Sequence, residues 1–129
     1  FFKVNEQLAK MMSSYEDYNI TLNEVHHIHK LDAPSGTAIS LANQIIQNVN
    51  RKTKCVNTKT TKPEELEIIS KREGEVPGTH TVKYFSAIDD IEIKHTAHNR
   101  KGFALGAVLA AEFVKGKNGI FGMNDMMKL

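Results

Sequence analysis

Apolar residues change their spacing repeatedly along this chain, and each change predicts an element. Val4, Leu8, Met11 and Met12 recur at helical intervals, so an amphipathic helix is expected to about Ser14. A polar link, Tyr15-Glu-Asp-Tyr18, follows. From Asn19 to Val25 the period falls to two, with Ile20 and Leu22 alternating with mixed neighbours, as in a strand with one buried face. Ile39, Leu41, Ala42, Ile45, Ile46 and Val49 return to helical spacing from Ala38 to Val49. Asn50 to Glu65 is rich in Lys, Thr and Asn, carries Pro63 and has no apolar period, which predicts a flexible surface excursion.

Leu66 to Lys71, His80 to Phe85 and Ile91 to His95 then alternate as strands, divided by the turn signals of Gly74, Pro77 and Gly78 and by Ala87-Ile-Asp-Asp90. Val82 and Tyr84 share one side of the middle strand, and Ile91 and Ile93 are expected to face the core. Three short strands joined by short loops predict a meander. Phe103, Ala104, Ala107, Val108, Ala110, Ala111 and Val114 give a small-residue helix ending at Lys115-Gly116, suited to close packing on another surface. In the tail, Ile120, Phe121, Met123, Met126, Met127 and Leu129 have little left in the chain to cover them, so a neighbouring domain or subunit is expected there. The whole reads as α+β: a mixed four-stranded sheet with helices packed on one face.

Composition narrows the class. The 129 residues, 40% hydrophobic and 25% charged, suit one domain with its own core. No uncharged apolar run approaches the ~20 residues of a membrane helix, and the first residues lack the progression of a signal peptide, so neither membrane nor export is expected. The single Cys55 excludes an internal disulfide, and with Lys52, Lys54 and Lys59 nearby it is expected on an exposed stretch; a reducing cytoplasm fits best. The net charge of +2 is scattered apart from Arg51 to Lys54 and Lys59 to Lys62, where no aromatic residue is interleaved to stack on bases, so a solvated surface is preferred to a nucleic-acid site. The abrupt apolar Phe1-Phe2 suggests a piece of something longer.

The chemistry concentrates in Glu24-Val-His-His-Ile-His-Lys-Leu-Asp-Ala-Pro-Ser-Gly-Thr-Ala38. Pro34 breaks the chain just ahead of the helix, so Ser35, Gly36 and Thr37 fall in its first turn. Backbone N–H groups there have no internal acceptor, the helix dipole adds positive potential, and Gly36 permits close approach, all of which suit a carboxylate or phosphate. An ordinary N-cap is the simpler account of that turn alone. If the strand continues past Val25, His26, Ile28 and Lys30 share one face and His27 and His29 the other. A proton-carrying His beside a cationic Lys could bind a carboxylate and protonate a reacting atom.

A metal site built from His26, His27 and His29 with His80, His95 or His98 is the competitor, but there is no HExxH motif or Cys pair, and adjacent strand histidines point apart, so no metal is expected. His80, His95 and His98 are taken as surface or strand-end polar residues. Arg100, between the last strand and the small-residue helix, has the chemistry to clamp a second carboxylate, though on position alone a surface Arg is the simpler account.

Val25 to Ala38 closely resembles the signature of the 4-hydroxy-tetrahydrodipicolinate reductase (dihydrodipicolinate reductase) family of lysine and diaminopimelate synthesis. The resemblance continues through Arg72-Glu-Gly-Glu-Val-Pro-Gly-Thr-His80, Ile91-Glu-Ile-Lys-His95, Arg100-Lys-Gly-Phe-Ala104 and Gly119-Ile-Phe-Gly-Met123. It implies that residues 1–129 are the C-terminal, substrate-binding and tetramerisation domain. The free sheet face would then lie in a homotetramer interface, and about 104–129 would pack on an N-terminal dinucleotide-binding domain. It also implies a cyclic dicarboxylate substrate, His26 and Lys30 as the proton-donating pair, and His27, Lys30, Ser35, Gly36, Thr37 and Arg100 in contact with substrate. NADH or NADPH would be bound by the other domain, since no GxGxxG-type loop occurs here. Ile28 departs from the pattern, many members having Arg there. Rival readings are a non-catalytic oligomerisation or dicarboxylate-binding module and, more weakly, a histidine-metal hydrolase.

Overall fold

The computed structural model describes residues 1–128, so Leu129 of the uncovered tail lies outside the described residues. The chain divides into a unit Phe1–Thr96 and a unit beginning at Ala97. The first holds α1 (Phe2–Met12), β1 (Asn19–His26), α2 (Gly36–Asn48), β2 (Lys54–Val56), β3 (Glu65–Arg72), β4 (Gly78–Phe85) and β5 (Asp90–Ala97), the last residue of β5 reaching the second unit. The strands form one mixed sheet in the order β2-β3-β1-β4-β5. The α+β class is as expected; the sheet has five strands rather than four.

Two corrections follow from the strand order. The later strands are not a meander, because β1 sits between β3 and β4, parallel to the first and antiparallel to the second. A strand with a buried alternation gains most where it is flanked on both sides, and the connection through α2 returns the chain parallel to it, as a crossover does. The segment 50–65 is not a free excursion: β2 pairs parallel with β3, Cys55 is half-buried and Lys52 is buried. The Lys52 ammonium donates to the carbonyls of Pro63 (2.8 Å) and Glu65 (2.9 Å), and Arg51 donates to those of Ser13 (3.1 Å) and Tyr18 (2.9 Å). Part of the basic run therefore closes backbone acceptors, which leaves no mark in an apolar pattern.

The core lies between the sheet and the helices. Strand β1 buries Ile20, Leu22, Glu24 and His26, and β4 buries His80, Val82 and Tyr84. The pairing aligns them in rungs: Ile20 with Tyr84, Leu22 with Val82 and Ile68, Glu24 with His80 and Ser70, and His26 with Arg72. Leu8, Ala9 and Met12 of α1 and Ala38, Leu41, Ala42 and Ile45 of α2 complete the apolar part. Burying each Leu or Ile there stabilises the fold by about 1.5–3 kcal/mol. Asn5 ties the helices together by donating to the Leu41 carbonyl (3.1 Å) and Gln44 Oε1 (2.9 Å). The opposite sheet face carries the half-buried Thr21, Asn23, Val25, Thr79, Thr81 and Lys83. At the edge, Ile93 packs partly against the core while Ile91 is exposed.

In the second unit, α3 (Lys101–Val114) and α4 (Met123–Met127) bury none of their described residues. Phe113 meets Phe121 edge to face at 5.7 Å, with the Lys117 ammonium 3.1 Å above the Phe113 ring. Phe103, Leu105, Val108 and Leu109 are exposed. Among the described residues no helix is long and apolar enough to cross a membrane.

Candidate active site

The first two rungs of the sheet are apolar and the last two are polar. Because β1 and β3 run parallel, both deliver their polar ends to the same edge, and β4 begins there. The α2 N-terminus arrives at this edge too. Ser35 caps it with extended backbone (φ −65°, ψ 155°), its hydroxyl accepting from the Ala38 N–H at 3.2 Å. The Ala33-Pro34 peptide just before it is cis. Gly36 is exposed, and a Cβ built on it would meet nothing within 4 Å, so the space over the first turn is open.

Glu24 is the hub. It is fully buried, and its Oε1 accepts from the Ser35 N–H (3.0 Å) and the Arg72 guanidinium (3.2 Å). Its Oε2 faces His26 Nδ1 at 3.2 Å and His80 Nε2 at 3.6 Å. His80 Nε2 lies 3.1 Å from the Ser35 hydroxyl. A carboxylate only accepts, which assigns the proton of His80 to Nε2, between Ser35 and Glu24. Burial alone raises the Glu24 carboxyl; hydrogen bonds from His80, Ser35 and Ser70 outweigh it and hold the group well below the usual carboxylate range. His26 moves down, first through burial and then through the positive charges of His80, Lys30 and Arg72, with Glu24 opposing.

Strand geometry ends at His26, so Lys30 is placed by a turn rather than by alternation. The Lys30 N–H donates to the His27 carbonyl (3.1 Å), and its ammonium pairs with Asp32 at 2.7 Å. That contact is the main reason the Asp32 carboxyl lies below its ordinary value. Arg72 latches this loop from β3: it donates to the Lys30 and Asp32 carbonyls as well as to Glu24. On the same side the Glu73 N–H donates to the His26 carbonyl (2.8 Å) and the Ile28 N–H to that of Gly74 (3.1 Å).

Of the residues singled out from sequence, His26, Lys30, Ser35, Gly36 and Thr37 thus stand at one edge of the sheet. His27 is half-buried, its ring 6.1 Å from that of His29, which is exposed and 3.3 Å from Glu75. Arg100 is exposed in the second unit, at the N-cap of α3. His95 stacks on Phe1 at 5.8 Å and His98 is exposed. His80 departs from its expected surface position: it is buried against Ser35 and Glu24 because it lies in phase with Val82 and Tyr84. Glu24 and Arg72 were not singled out individually. The signal for Glu24 was present, two residues past Leu22 on the buried phase.

Glu24, His26 and His80 offer ligand atoms within 4.8 Å of one another, close enough to hold one ion among the described residues. The Arg72 guanidinium on the same carboxylate opposes a second cation there, and the shared contacts read better as a proton-bearing network.

Fold and site together define a class: an α+β domain with a buried carboxylate–imidazole cluster at the carboxyl end of its central strand, facing a helix N-terminus. The family model described as "Dihydrodipicolinate reductase, C-terminus" matches residues 1–127, and the chain belongs to this family. It is 54% identical over 127 residues to a 4-hydroxy-tetrahydrodipicolinate reductase of Christiangramia forsetii, covering 98% of this chain and 53% of that protein. With the reductase of Methanosarcina acetivorans the identity is 40% over 132 residues, covering 100% and 49%. The chain spans about half the length of the curated relatives it matches. A solved structure, dipicolinate-bound dihydrodipicolinate reductase from Paenisporosarcina sp. TG-14, shares the fold with a TM-score of 0.66 at 24% identity, over 96% of this chain and 50% of that one.

Proposed function

We propose that these residues are the substrate-binding, proton-donating part of a 4-hydroxy-tetrahydrodipicolinate reductase in lysine and diaminopimelate synthesis. The observation that carries this reading is His26, buried at the end of β1 under the positive charge of Lys30 and beside the open first turn of α2. One carboxylate of a cyclic dicarboxylate is held by the Gly36 and Thr37 N–H groups and Lys30. Ser35 joins them: with its oxygen accepting from Ala38 and His80, its own proton is left to donate. His27 and Arg100 are assigned as further contacts to the substrate.

His26 protonates the reduced ring. Its lowered proton affinity makes the imidazolium a ready acid, and an arriving dianion raises that affinity enough to load it. Hydride is the chemistry a bound nicotinamide, NADH or NADPH, supplies. No GxGxxG-type loop occurs to hold that cofactor: Gly102 and Gly106 lie inside α3, Gly116 and Gly119 follow it, and Gly36, which opens α2 after β1, stands as a single glycine in Pro34-Ser-Gly-Thr37. A dinucleotide-binding domain is therefore the partner of about 104–129, whose exposed apolar residues suit such a surface. The free sheet face is assigned to a homotetramer interface and the protein to the cytoplasm.

Calorimetry with pyridine-2,6-dicarboxylate tests the cradle. Binding by this chain, weakened about tenfold or more by Lys30→Ala, is expected from the loss of a charge-assisted contact; no binding by folded protein overturns it. Unchanged turnover of the full-length enzyme after His26→Gln overturns the proton-donor role.

A further inference from the structure

We propose that Glu24 is a positioning residue that fixes which nitrogen of His26 handles the proton: its carboxylate occupies the Nδ1 side, leaving Nε2 to face a gap that Gly78 keeps open. The inference rests on the reading of His26 as proton donor and adds the atom, the residue that selects it and the residue that gives it access.

Three observations carry it. His26 Nδ1 and Glu24 Oε2 stand 3.2 Å apart, both buried; neither has a partner of good hydrogen-bond geometry among the described residues, and the next donor to this oxygen, His80 Nε2, is 3.6 Å away. Because the carboxylate only accepts, the shared proton belongs on Nδ1. Glu24 is also pinned: the Ser35 N–H and Arg72 hold its other oxygen, so it cannot turn away from the ring. On the far edge of the imidazole, a Cβ on Gly78 would lie 3.1 Å from Nε2 and 3.3 Å from Cδ2. That is tighter than ordinary contact, so any side chain there presses on the atom assigned to the chemistry.

The other charged or titratable groups bearing on His26 are His80 from β4, Arg72 from β3 and Lys30 from the loop. Lys30 and Arg72 carry no acceptor, and His80 turns its protonated Nε2 towards Glu24, so the carboxylate is the acceptor that faces Nδ1. The step moves one proton: the Nε2–H bond breaks, its electron pair stays on nitrogen, and the proton joins the electron-rich substrate atom. Glu24 stabilises the imidazolium before that step without itself being protonated, the role a buried carboxylate plays behind a catalytic histidine elsewhere.

The test begins with the wild-type chain. Nitrogen-15 NMR at neutral pH is expected to show His26 protonated at Nδ1 and bare at Nε2; the opposite tautomer overturns the proposal. In the full-length enzyme, Glu24→Gln is expected to lower kcat about 10- to 100-fold with KM little changed, and to displace the pH profile. If His26→Gln abolishes turnover while Glu24→Gln leaves kcat and the profile untouched, the positioning role is wrong and the proton-donor reading stands. If His26→Gln itself leaves turnover unchanged, both fall. Should Glu24→Gln not fold, Gly78→Ala decides: reduced kcat with the Nδ1-protonated tautomer retained supports an open Nε2 edge, and wild-type kcat overturns it.

Discussion

The two ends of β1 lie in the same buried phase, yet they are built for different purposes. At the first end, Ile20 and Leu22 meet Tyr84, Val82 and Ile68, and the contacts are apolar and non-directional. At the second, Glu24 and His26 meet Ser70, His80 and Arg72, and nearly every contact has a direction. One sheet thus supplies a core and, two residues further along the strand, a polar cluster whose position that core fixes. A buried charge cluster is a weak source of stability, because desolvation consumes most of its attraction. The apolar rungs should therefore govern whether the domain folds, and the polar rungs what it does once folded.

Mutations that separate the two ends put this contrast at risk. The largest effect is expected from His26→Gln in the full-length enzyme, a kcat loss of about 10²–10⁴, equivalent to about 3–5 kcal/mol of transition-state stabilisation, with urea unfolding little changed. Leu22→Ala should do the reverse: a loss of about 2–5 kcal/mol in unfolding free energy, with unaltered affinity of the folded fraction for pyridine-2,6-dicarboxylate. If Leu22→Ala instead weakens binding while leaving stability intact, the division between the ends is wrong.

Acid should act at the polar end. The folded Glu24 carboxyl binds its proton more weakly than an unfolded one, so its contribution is complete above the ordinary carboxylate range and is lost as pH falls. His26, also lowered, adds loss as pH falls below about 6.5, where the unfolded imidazole takes up its proton first. Glu65, held at about 2 by the Thr60 hydroxyl and Lys54, extends the decline towards that pH. Stability measured by urea unfolding at a series of pH values should fall steadily from about 6.5 downward; Leu22→Ala should displace that curve without bending it, and Glu24→Gln should flatten it. The smallest effect belongs to Tyr84, whose buried hydroxyl has no hydrogen-bond partner among the described residues and is pushed up to about 12 by burial. Tyr84→Phe should be neutral or stabilising by up to about 1 kcal/mol, and a loss larger than that in thermal unfolding would reveal a partner for the hydroxyl.

How much of this was legible follows the same divide. The alternation of Ile20 and Leu22 and the period of α2 placed both elements within a residue or two of their observed bounds. Extending the phase from Leu22 to Glu24, or back from Val82 to His80, locates two members of the cluster. Apolar periodicity discards such residues because it counts only what dislikes water. Strand β2 was hidden for a different reason: it is held by backbone pairing and by a lysine on two carbonyls, neither of which needs an apolar side chain. The insertion of β1 between β3 and β4 is a non-local choice that the short loops between later strands concealed. Lys30 shares a face with His26 only if the strand continues past Val25; β1 stops at His26, and the latch by Arg72 that holds the turn comes from a strand far along the chain.

That distance sets when the site comes into being. Glu24 and Arg72 are 48 positions apart and Ser35 and His80 are 45 apart, so the cluster closes only after β3 and β4 have docked on either side of β1. Such pairings have a high loop-closure cost and place the domain among the slower folders of its size. A nascent or partly folded chain carries α2 and its capping serine but no Glu24 hub, and hence an unorganised histidine. Closure of the cluster is therefore a late folding event, and protection of the Ser35 amide from hydrogen exchange during refolding should trail the recovery of helical signal.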